Sequence, residues 1–137
     1  MASKYGNAIV TYKGIKFASG LEMLRYRFLE KKLKSGAITD LRRQVHYQLI
    51  PAQYKRPFYI TNGEGKKMPE PEKEPPVSYV ADFVYKRNGV EVVEDAKGTR
   101  TDVYIIKRKM MLFFHGITIY EVENPAAPLG GGAKKDE

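Results

Sequence analysis

The sequence predicts an α/β fold with helices flanking a mixed sheet, in the order helix, three strands, helix, strand. Apolar residues recur at helical spacing in two segments, 20–35 and 102–115. Between these helices, segment 38–50 alternates apolar and polar residues as a strand does. A second alternating region is centred on Asn88-Gly89, the dipeptide most typical of a two-residue hairpin turn. One more alternating segment follows the second helix and completes the order.

The first helix is predicted to run from Gly20 to Ser35. Ser19 is a favourable N-cap residue, and Glu22 stands at the spacing of a capping box, in which the carboxylate bonds the N-cap amide. Gly36 is suited to end the helix in a left-handed conformation. The apolar positions of the helix are Leu21, Leu24, Phe28, Leu29 and Leu33.

The segments around this helix and after the next strand are less regular. Residues 1–14 are predicted to be a loosely held arm with a short strand within 8–12. Pro51 ends the strand that follows the helix, and a further short strand is predicted within 54–61. Residues 62–76 contain four prolines and many charges, so they predict a flexible insertion.

The second helix is predicted to begin after Thr101, a suitable N-cap, and to end at about His115, before Gly116. The alternation in 117–122 predicts a strand after it. Residues 124–137 are rich in Pro, Gly and Lys, and they predict a disordered tail.

Two acids face each other in the predicted central hairpin. When Asn88-Gly89 forms the turn, Asp82 lies opposite Asp95, and directly opposed like charges destabilise a sheet. Lys97 lies on the same face as Asp95 because side chains alternate along a strand. The predicted register pairs Arg87 with Val90, Tyr85 with Val92, Val84 with Val93 and Asp82 with Asp95. By the same alternation, Val80, Val84 and Val93 share the face of the acids.

Two interpretations fit this arrangement. A divalent cation between the acids would remove their repulsion, because Mg²⁺ takes oxygen ligands and keeps several waters. Lys97 beside them would orient a water or stabilise a developing phosphoryl charge. The alternative is a surface hairpin with ordinary acids and a salt bridge from Lys97. The facing acids favour the metal site.

Composition narrows the class of protein. The 137 residues, 42% of them apolar, are enough for one globular domain, which we expect to span 1–123. Without cysteine there are no disulfides or thiolate zinc sites, and two histidines are too few for a histidine-rich metal site. No apolar run approaches the roughly 18 residues of a membrane span, so we expect an intracellular protein without membrane association. The net charge of +8 suits a polyanionic partner such as nucleic acid.

The acids also carry a resemblance to a known superfamily. Asp82, followed after a hairpin by Asp95-Ala96-Lys97, resembles the D…(D/E)xK signature of the PD-(D/E)XK nucleases. The spacing is similar to that in the Holliday-junction resolvases of this superfamily. A longer run closely resembles a family of small phage-encoded proteins assigned to the same superfamily: Tyr79-Val-Ala-Asp-Phe, then Glu94-Asp-Ala-Lys-Gly, then Lys107, Lys109 and Gly116-Ile117. The resemblance covers about residues 16–122. The resemblance implies its αβββαβ core, a restriction-endonuclease-like mixed sheet flanked by helices.

The resemblance also implies roles for individual residues. Asp82, Asp95 and the Ala96 carbonyl would hold one or two Mg²⁺ or Mn²⁺ ions, and Lys97 would position the attacking water. Hydrolysis of the phosphodiester would leave a 3′-hydroxyl and a 5′-phosphate. Glu22 has two interpretations, since resolvase-like members carry a metal-binding glutamate on the first helix, whereas a capping glutamate bonds its own helix. The expected catalytic residues are Glu22, Asp82, Asp95 and Lys97.

Other residues are candidates for supporting roles. Gln44 would support the metal site without contacting the cation itself, or it is an ordinary exposed residue of a half-solvated strand. Arg42, Lys107 and Lys109 are candidates for DNA contacts. Because Lys107 and Lys109 are two apart on a helix, one would reach phosphate while the other is solvated. Glu94, next to Asp95, is predicted to lie on the other face of the sheet.

The resemblance to resolvases suggests the substrate. We expect a Mg²⁺-dependent endonuclease that cuts branched DNA, such as a four-way junction, in phage DNA recombination in the host cytoplasm. A homodimer would match the symmetry of the junction. The alternatives are a general, nicking, exonucleolytic or fork-processing nuclease of the same fold, and a non-catalytic basic DNA-binding protein. The presence of Asp82, Asp95 and Lys97 argues against the last of these.

Overall fold

A computed structural model describes residues 8–55 and 71–131. Two helices flank a central four-stranded sheet with strand order β3-β6-β7-β8, in which only β7 and β8 run parallel. Two separate two-stranded pairs, β1-β2 and β4-β5, lie outside this sheet. The predicted α/β class with a mixed sheet is confirmed. The elements are β1 (Val10–Tyr12), β2 (Ile15–Phe17), α1 (Gly20–Ser35), β3 (Thr39–Ile50), β4 (Gln53–Lys55), β5 (Glu72–Glu74), β6 (Val77–Arg87), β7 (Val90–Ala96), α2 (Asp102–His115) and β8 (Tyr120–Val122).

The first helix has the predicted bounds because local capping fixes both of its ends. The Ser19 hydroxyl accepts a hydrogen bond from the Glu22 amide at 3.2 Å. At the other end, Gly36 has a φ of 85° and its amide bonds the Leu33 carbonyl. A left-handed residue of this kind costs least when it is glycine.

The second helix is also capped as predicted, by Thr101 and Gly116. The strand after it is shorter than the predicted 117–122, since β8 begins only at Tyr120. The Ile117 amide bonds the Met111 carbonyl at 3.2 Å and so still belongs to the helix cap. The residues between the cap and Tyr120 connect the helix to the sheet.

The central hairpin has the predicted turn and register. Asn88 and Gly89 have φ values of 53° and 79°, as a type I′ turn requires. Pairing continues from the turn to Phe83 opposite Glu94. The ladder stops there, one pair before Asp82 and Asp95.

The two faces of the sheet carry separate apolar clusters. The cluster beneath α1 contains Leu29, Ile38, Phe83, Tyr85 and Val92. The cluster beneath α2 contains Leu49, Tyr79, Ala81, Val84, Val93, Tyr104, Met111 and Ile119. The prediction that Val80 shares a face with Val84 is therefore wrong, because Tyr79 and Ala81 take that face instead.

The cause is a matched break in two neighbouring strands. Strand β3 pairs with β6 on both sides of Gln44 and Asp82 without a change in register, yet these two residues are not paired themselves. Gln44 has a φ of 53°, a left-handed conformation that is uncommon for a residue other than glycine. On β3, Leu41 packs on the α1 side and Val45 on the α2 side. On both strands, the alternation of side chains is therefore reversed at this point, so that residues expected on one face of the sheet lie on the other.

Two predictions about the irregular segments need correction, and a third lies mostly outside the described residues. The N-terminal strand pairs with a second strand, β2, that was not predicted. Residues 72–74 of the predicted flexible insertion form strand β5, paired with β4, whereas 56–70 lie outside the described residues. With them lies most of the strand predicted within 54–61.

The predicted disordered tail is wrong for residues 124–131. Carbonyl groups of this segment accept hydrogen bonds from Arg25 and Arg87. Residues 132–137 lie outside the described residues. In the described ranges, neither helix has the length and apolar character needed to cross a membrane.

Candidate metal-binding site at the end of the central hairpin

Asp82 lies where three surface cavities meet. The first, of about 300 Å³, is also lined by Asp95, Lys97 and Lys107. The second, of about 350 Å³, is shared with Glu22, Ala96 and Lys97. The third, of about 340 Å³, is lined by Lys16, Glu22, Arg43 and Gln44. The strand break at Asp82 thus coincides with the place where most of the predicted site residues gather.

Asp82 is held by the neighbouring strand. Its Oδ2 atom accepts a hydrogen bond from the Ala96 amide at 2.9 Å. Burial raises the pKa of Asp82 to about 8, and the negative charges of Asp95 and Glu22 act in the same direction. Asp82 therefore lies close enough to Asp95 and Glu22 for their negative charges to add to the effect of burial.

Asp95 is only 2% exposed, and its two carboxylate oxygens differ in their hydrogen bonding. Oδ2 accepts a hydrogen bond of 2.5 Å from the Tyr79 hydroxyl. Oδ1 is buried and accepts no hydrogen bond, although the Lys97 ammonium lies 3.4 Å away. A buried carboxylate oxygen without a hydrogen bond is costly, which makes it a strong candidate for a cation ligand.

Lys97 is placed by both its backbone and its side chain. Its amide bonds the Val122 carbonyl of β8 at 3.0 Å, which continues the parallel pairing. Its ammonium lies 4.7 Å from the centre of the Tyr104 ring, within the range of a cation–π interaction. The Tyr104 hydroxyl in turn donates to Glu121 at 2.7 Å. The ammonium is therefore held beside Asp95.

Glu22 is tied to the loop before α1 and to β3. Its carboxylate accepts hydrogen bonds from the Ala18 amide at 3.3 Å and from Gln44 at 3.1 Å, and Arg43 lies 3.5 Å away. It does not bond the Ser19 amide, so only half of the predicted capping box is present. Burial raises the pKa of Glu22, although the Ala18 amide and Arg43 oppose this shift.

The acids border shared cavities without forming a complete ligand set. Within residues 8–55 and 71–131, no three acidic or histidine side chains are grouped closely enough to hold a metal ion. Glu22 in particular is engaged by Gln44 and Arg43. The arrangement thus provides a pair of acids, Asp82 and Asp95, and a third acid held to one side.

The remaining predicted residues divide into two groups. Gln44 contacts Glu22, and Lys107 lines the cavity of Asp82 and Asp95. Arg42 instead pairs with Asp40 and Glu91, at 3.4 Å each, and lines none of the three cavities. Lys109 is exposed and lines none of them either.

Three residues of the site were not predicted. Tyr79, Arg43 and Tyr104 contact Asp95, Glu22 and Lys97 respectively. Strict alternation along β6 places Tyr79 on the face opposite Asp95, so the strand break hides its role in the sequence. The only signal in the sequence for these additional site residues was the presence of aromatic residues near the acids.

Glu94 lies on the opposite face, as predicted, in a site of a different kind. Its carboxylate receives two hydrogen bonds of 2.8 Å from Arg25 and a third from the Tyr85 hydroxyl. Both Arg25 and Glu94 have fully buried side chains. Arg25 also donates to carbonyls of Pro125, Ala127 and Pro128.

The fold and this site define an α/β domain in which a buried acid, a half-buried acid and a lysine lie at the end of a hairpin. The chain belongs to the family described as "protein of unknown function (DUF1064)", which it matches over residues 2–119. Searches of curated proteins and of solved structures found no match.

Proposed function

We propose that this protein is a metal-dependent DNA endonuclease of the PD-(D/E)XK type. The observation that supports this most is the buried Oδ1 atom of Asp95, which accepts no hydrogen bond and lies beside Lys97. Two facing acids in a cleft, one of them with a raised pKa, are typical of a functional site. The net charge of +8 suits a nucleic-acid substrate.

The order of elements supports the same assignment. When the two small strand pairs are set aside, the chain reads α1, β3, β6, β7, α2, β8. This is the αβββαβ order of the superfamily that the sequence resembles. The acids also fall on the hairpin β6-β7, where that resemblance requires them.

The residues around Asp95 fit a divalent cation. Asp82, Asp95 and the Ala96 carbonyl would hold Mg²⁺ or Mn²⁺, and Glu22, held nearby by Gln44 and Arg43, would join them. The bound ion would lower the pKa of a water and neutralise the scissile phosphate. Asp82, with a pKa of about 8 in the metal-free protein, would lose its proton on becoming a ligand.

Besides the cation, the proposed reaction needs a group that acts on the attacking water or on the phosphoryl charge, and Lys97 has a suitable position. Its ammonium is held near Asp95 by the Tyr104 ring, so it would orient a water or stabilise charge on the phosphoryl group. Lys16 and Lys107 line the adjoining cavities and would contact neighbouring phosphates. These contacts would make DNA binding salt-dependent.

The proposal includes branched DNA as the substrate and a homodimer as the active form, in the host cytoplasm. On α2, five large apolar side chains remain more than half exposed: Val103, Ile106, Leu112, Phe113 and Phe114. Their burial against a second copy would favour dimer formation. A two-fold dimer would present two sites to a four-way junction.

Cleavage of a labelled four-way junction beside the matching linear duplex tests the proposal. The parent, Asp82→Asn and Asp102→Asn are compared with Mg²⁺ and with EDTA. Asp102 is a matched control, because it is an exposed acid that lines none of the three cavities. We expect the parent and Asp102→Asn to cut the junction at symmetric positions. Asp82→Asn should lose about 100-fold or more of this activity.

The other outcomes separate the alternatives. Equal cutting of the linear duplex would keep the metal site and make the protein a general nuclease. Tight, salt-dependent binding without cleavage by the parent would indicate a non-catalytic DNA-binding protein. Full cleavage by Asp82→Asn would show that the site is assigned to the wrong residues.

A further inference from the structure

We propose that Tyr79 is a positioning residue that fixes the Asp95 carboxylate so that its Oδ1 atom stays available to a cation. The inference rests on the metal site of the proposed function and adds a residue to it. Tyr79 contacts the acid rather than the cation, and it would act through the orientation of Asp95.

The contact is short and removed from water. The side chains involved are nearly inaccessible, with residues Tyr79 and Asp95 only 3% and 2% exposed. The Tyr79 hydroxyl donates to Oδ2 of Asp95 at 2.5 Å. With no solvent to compete, this bond selects one rotation of the carboxylate and leaves Oδ1 as the oxygen without a hydrogen bond.

The strand break explains how Tyr79 reaches the acid. Along an unbroken β6, Tyr79 and Val84 would point to opposite faces because they differ in parity. The break at Asp82 brings Tyr79 and Val84 into the same cluster, on the face of Asp95. The Tyr79 ring then packs 6.4 Å from the Tyr104 ring, which holds Lys97.

Partners that orient a metal ligand contribute measurably to metal affinity. Loss of such a hydrogen bond typically lowers affinity about 10–100-fold. Tyr79→Phe removes the hydroxyl and keeps the ring, so the packing against Tyr104 persists. We expect its dissociation constant for Mn²⁺ to rise about 10–100-fold over the parent value.

The chain supplies a matched control on the other face of the sheet. Tyr85 is also buried, and its hydroxyl also donates to a buried carboxylate, that of Glu94. Tyr85→Phe therefore removes the same kind of bond from an acid that is already neutralised by Arg25. Both variants should lose stability, whereas only Tyr79→Phe should lose Mn²⁺ affinity.

The experiment is a calorimetric titration of the metal-free full chain with Mn²⁺, with folding of each variant checked by circular dichroism and urea unfolding. In cleavage assays, Tyr79→Phe should need more Mn²⁺ for half-maximal rate and approach the parent rate at saturation.

Three results would overturn the inference. Equal Mn²⁺ affinity of Tyr79→Phe and the parent would leave Tyr79 a packing residue only. Equal losses in Tyr79→Phe and Tyr85→Phe would indicate a general effect of stability on affinity. If the parent binds no Mn²⁺, the metal site itself fails and the role of Tyr79 fails with it.

Discussion

Glu94 and Asp95 are consecutive residues of β7, both buried, and they have opposite surroundings. On the α1 side, both oxygens of Glu94 receive hydrogen bonds from Arg25, and Tyr85 adds another. On the α2 side, Asp95 has one oxygen bonded by Tyr79 and one without a hydrogen bond. Each acid has a tyrosine donor, and they differ in the cation. Arg25 is inaccessible, whereas the Lys97 side chain is 32% exposed.

In the proposed function, this difference assigns Glu94 to the framework and Asp95 to the chemistry. A buried acid whose charge and lone pairs are fully matched is neutralised within the fold. Asp95 has one buried oxygen that accepts no hydrogen bond, it is ion-paired with a partly exposed lysine, and it faces a second acid, so it keeps capacity for an external cation. Because consecutive side chains of a strand point to opposite faces, β7 carries both Glu94 and Asp95 while their charged groups lie on separate sides of the sheet.

The largest expected effect is on stability, and it separates the two acids. Glu94→Gln leaves Arg25 buried without a counter-charge, so it should lower the free energy of unfolding by about 3–5 kcal/mol. Asp95→Asn keeps an oxygen for Tyr79 and removes repulsion from Asp82, so its change should stay within about 1 kcal/mol. Urea unfolding of both variants in EDTA measures the two effects. Similar losses in both would show that Asp95 also serves mainly to hold the fold together.

The second prediction reverses the roles of the two acids. A cation that binds only the folded state stabilises it by about 2.7 kcal/mol at 100 times its dissociation constant. Mn²⁺ should therefore raise the melting temperature of the parent and of any Glu94→Gln protein that remains folded. Asp95→Asn should not respond. A normal response from Asp95→Asn would remove this acid from the proposed ligand set.

Glu121, on the α2 side, shows how partners that donate hydrogen bonds change the pKa of an acid. Glu121 pairs with Asp95 across β7 and β8, and it contacts Arg100, Arg108 and Tyr104. Burial alone would raise its pKa, but hydrogen bonds from Arg108, Tyr104 and Arg100 lower the pKa of Glu121 to about 2. The shift is opposite to that of Asp82.

The third prediction follows from the sign of this shift. A depressed pKa in the folded state means that Glu121 contributes stability above about pH 4.5, which is lost as the pH falls towards 2. Glu121→Gln should cost roughly 1–2 kcal/mol at pH 7. The difference between parent and variant should shrink between pH 4.5 and 2 in urea unfolding. A constant difference over that range would contradict the assigned ion pairs.

The sequence predicted those elements whose ends depend on nearby residues. Both helices begin and end as predicted because Ser19, Gly36, Thr101 and Gly116 act within one turn. The hairpin register followed from Asn88-Gly89 alone, and it brought the acids together. The assignment to a nuclease superfamily remains a proposal.

Features that depend on distant contacts were missed. Arg25 has the sequence context of an exposed helix residue, and its partners Glu94 and Pro125 are 69 and 100 positions away. The Pro, Gly and Lys content of residues 124–137 predicted a disordered tail. Backbone groups, which every residue has, make most of the hydrogen bonds that hold residues 124–131, and Leu129 packs against the cluster beneath α1. Gln44 carries no turn signature, so nothing local predicted its positive φ or the exchange of faces.

The smallest expected effect on stability concerns this strand break. Gln44→Gly removes strain of about 1 kcal/mol from the positive φ, and it loses both backbone restriction and the hydrogen bond to Glu22. These opposing terms should leave the free energy of unfolding within about 1 kcal/mol of the parent value. If Gln44 holds Glu22 ready for the site, Mn²⁺ affinity should nevertheless fall about 10-fold.

Asp40→Gly is the control for this last prediction. Asp40 lies on the same strand with a φ of 55°, and it pairs with Arg42 away from the cavities. The same relief of strain there should leave Mn²⁺ affinity unchanged. An unchanged affinity in Gln44→Gly as well would mean that the break serves the packing of the two faces and not the acids. A rise in affinity would show instead that Gln44 restrains Glu22, so that release of this acid limits cation binding.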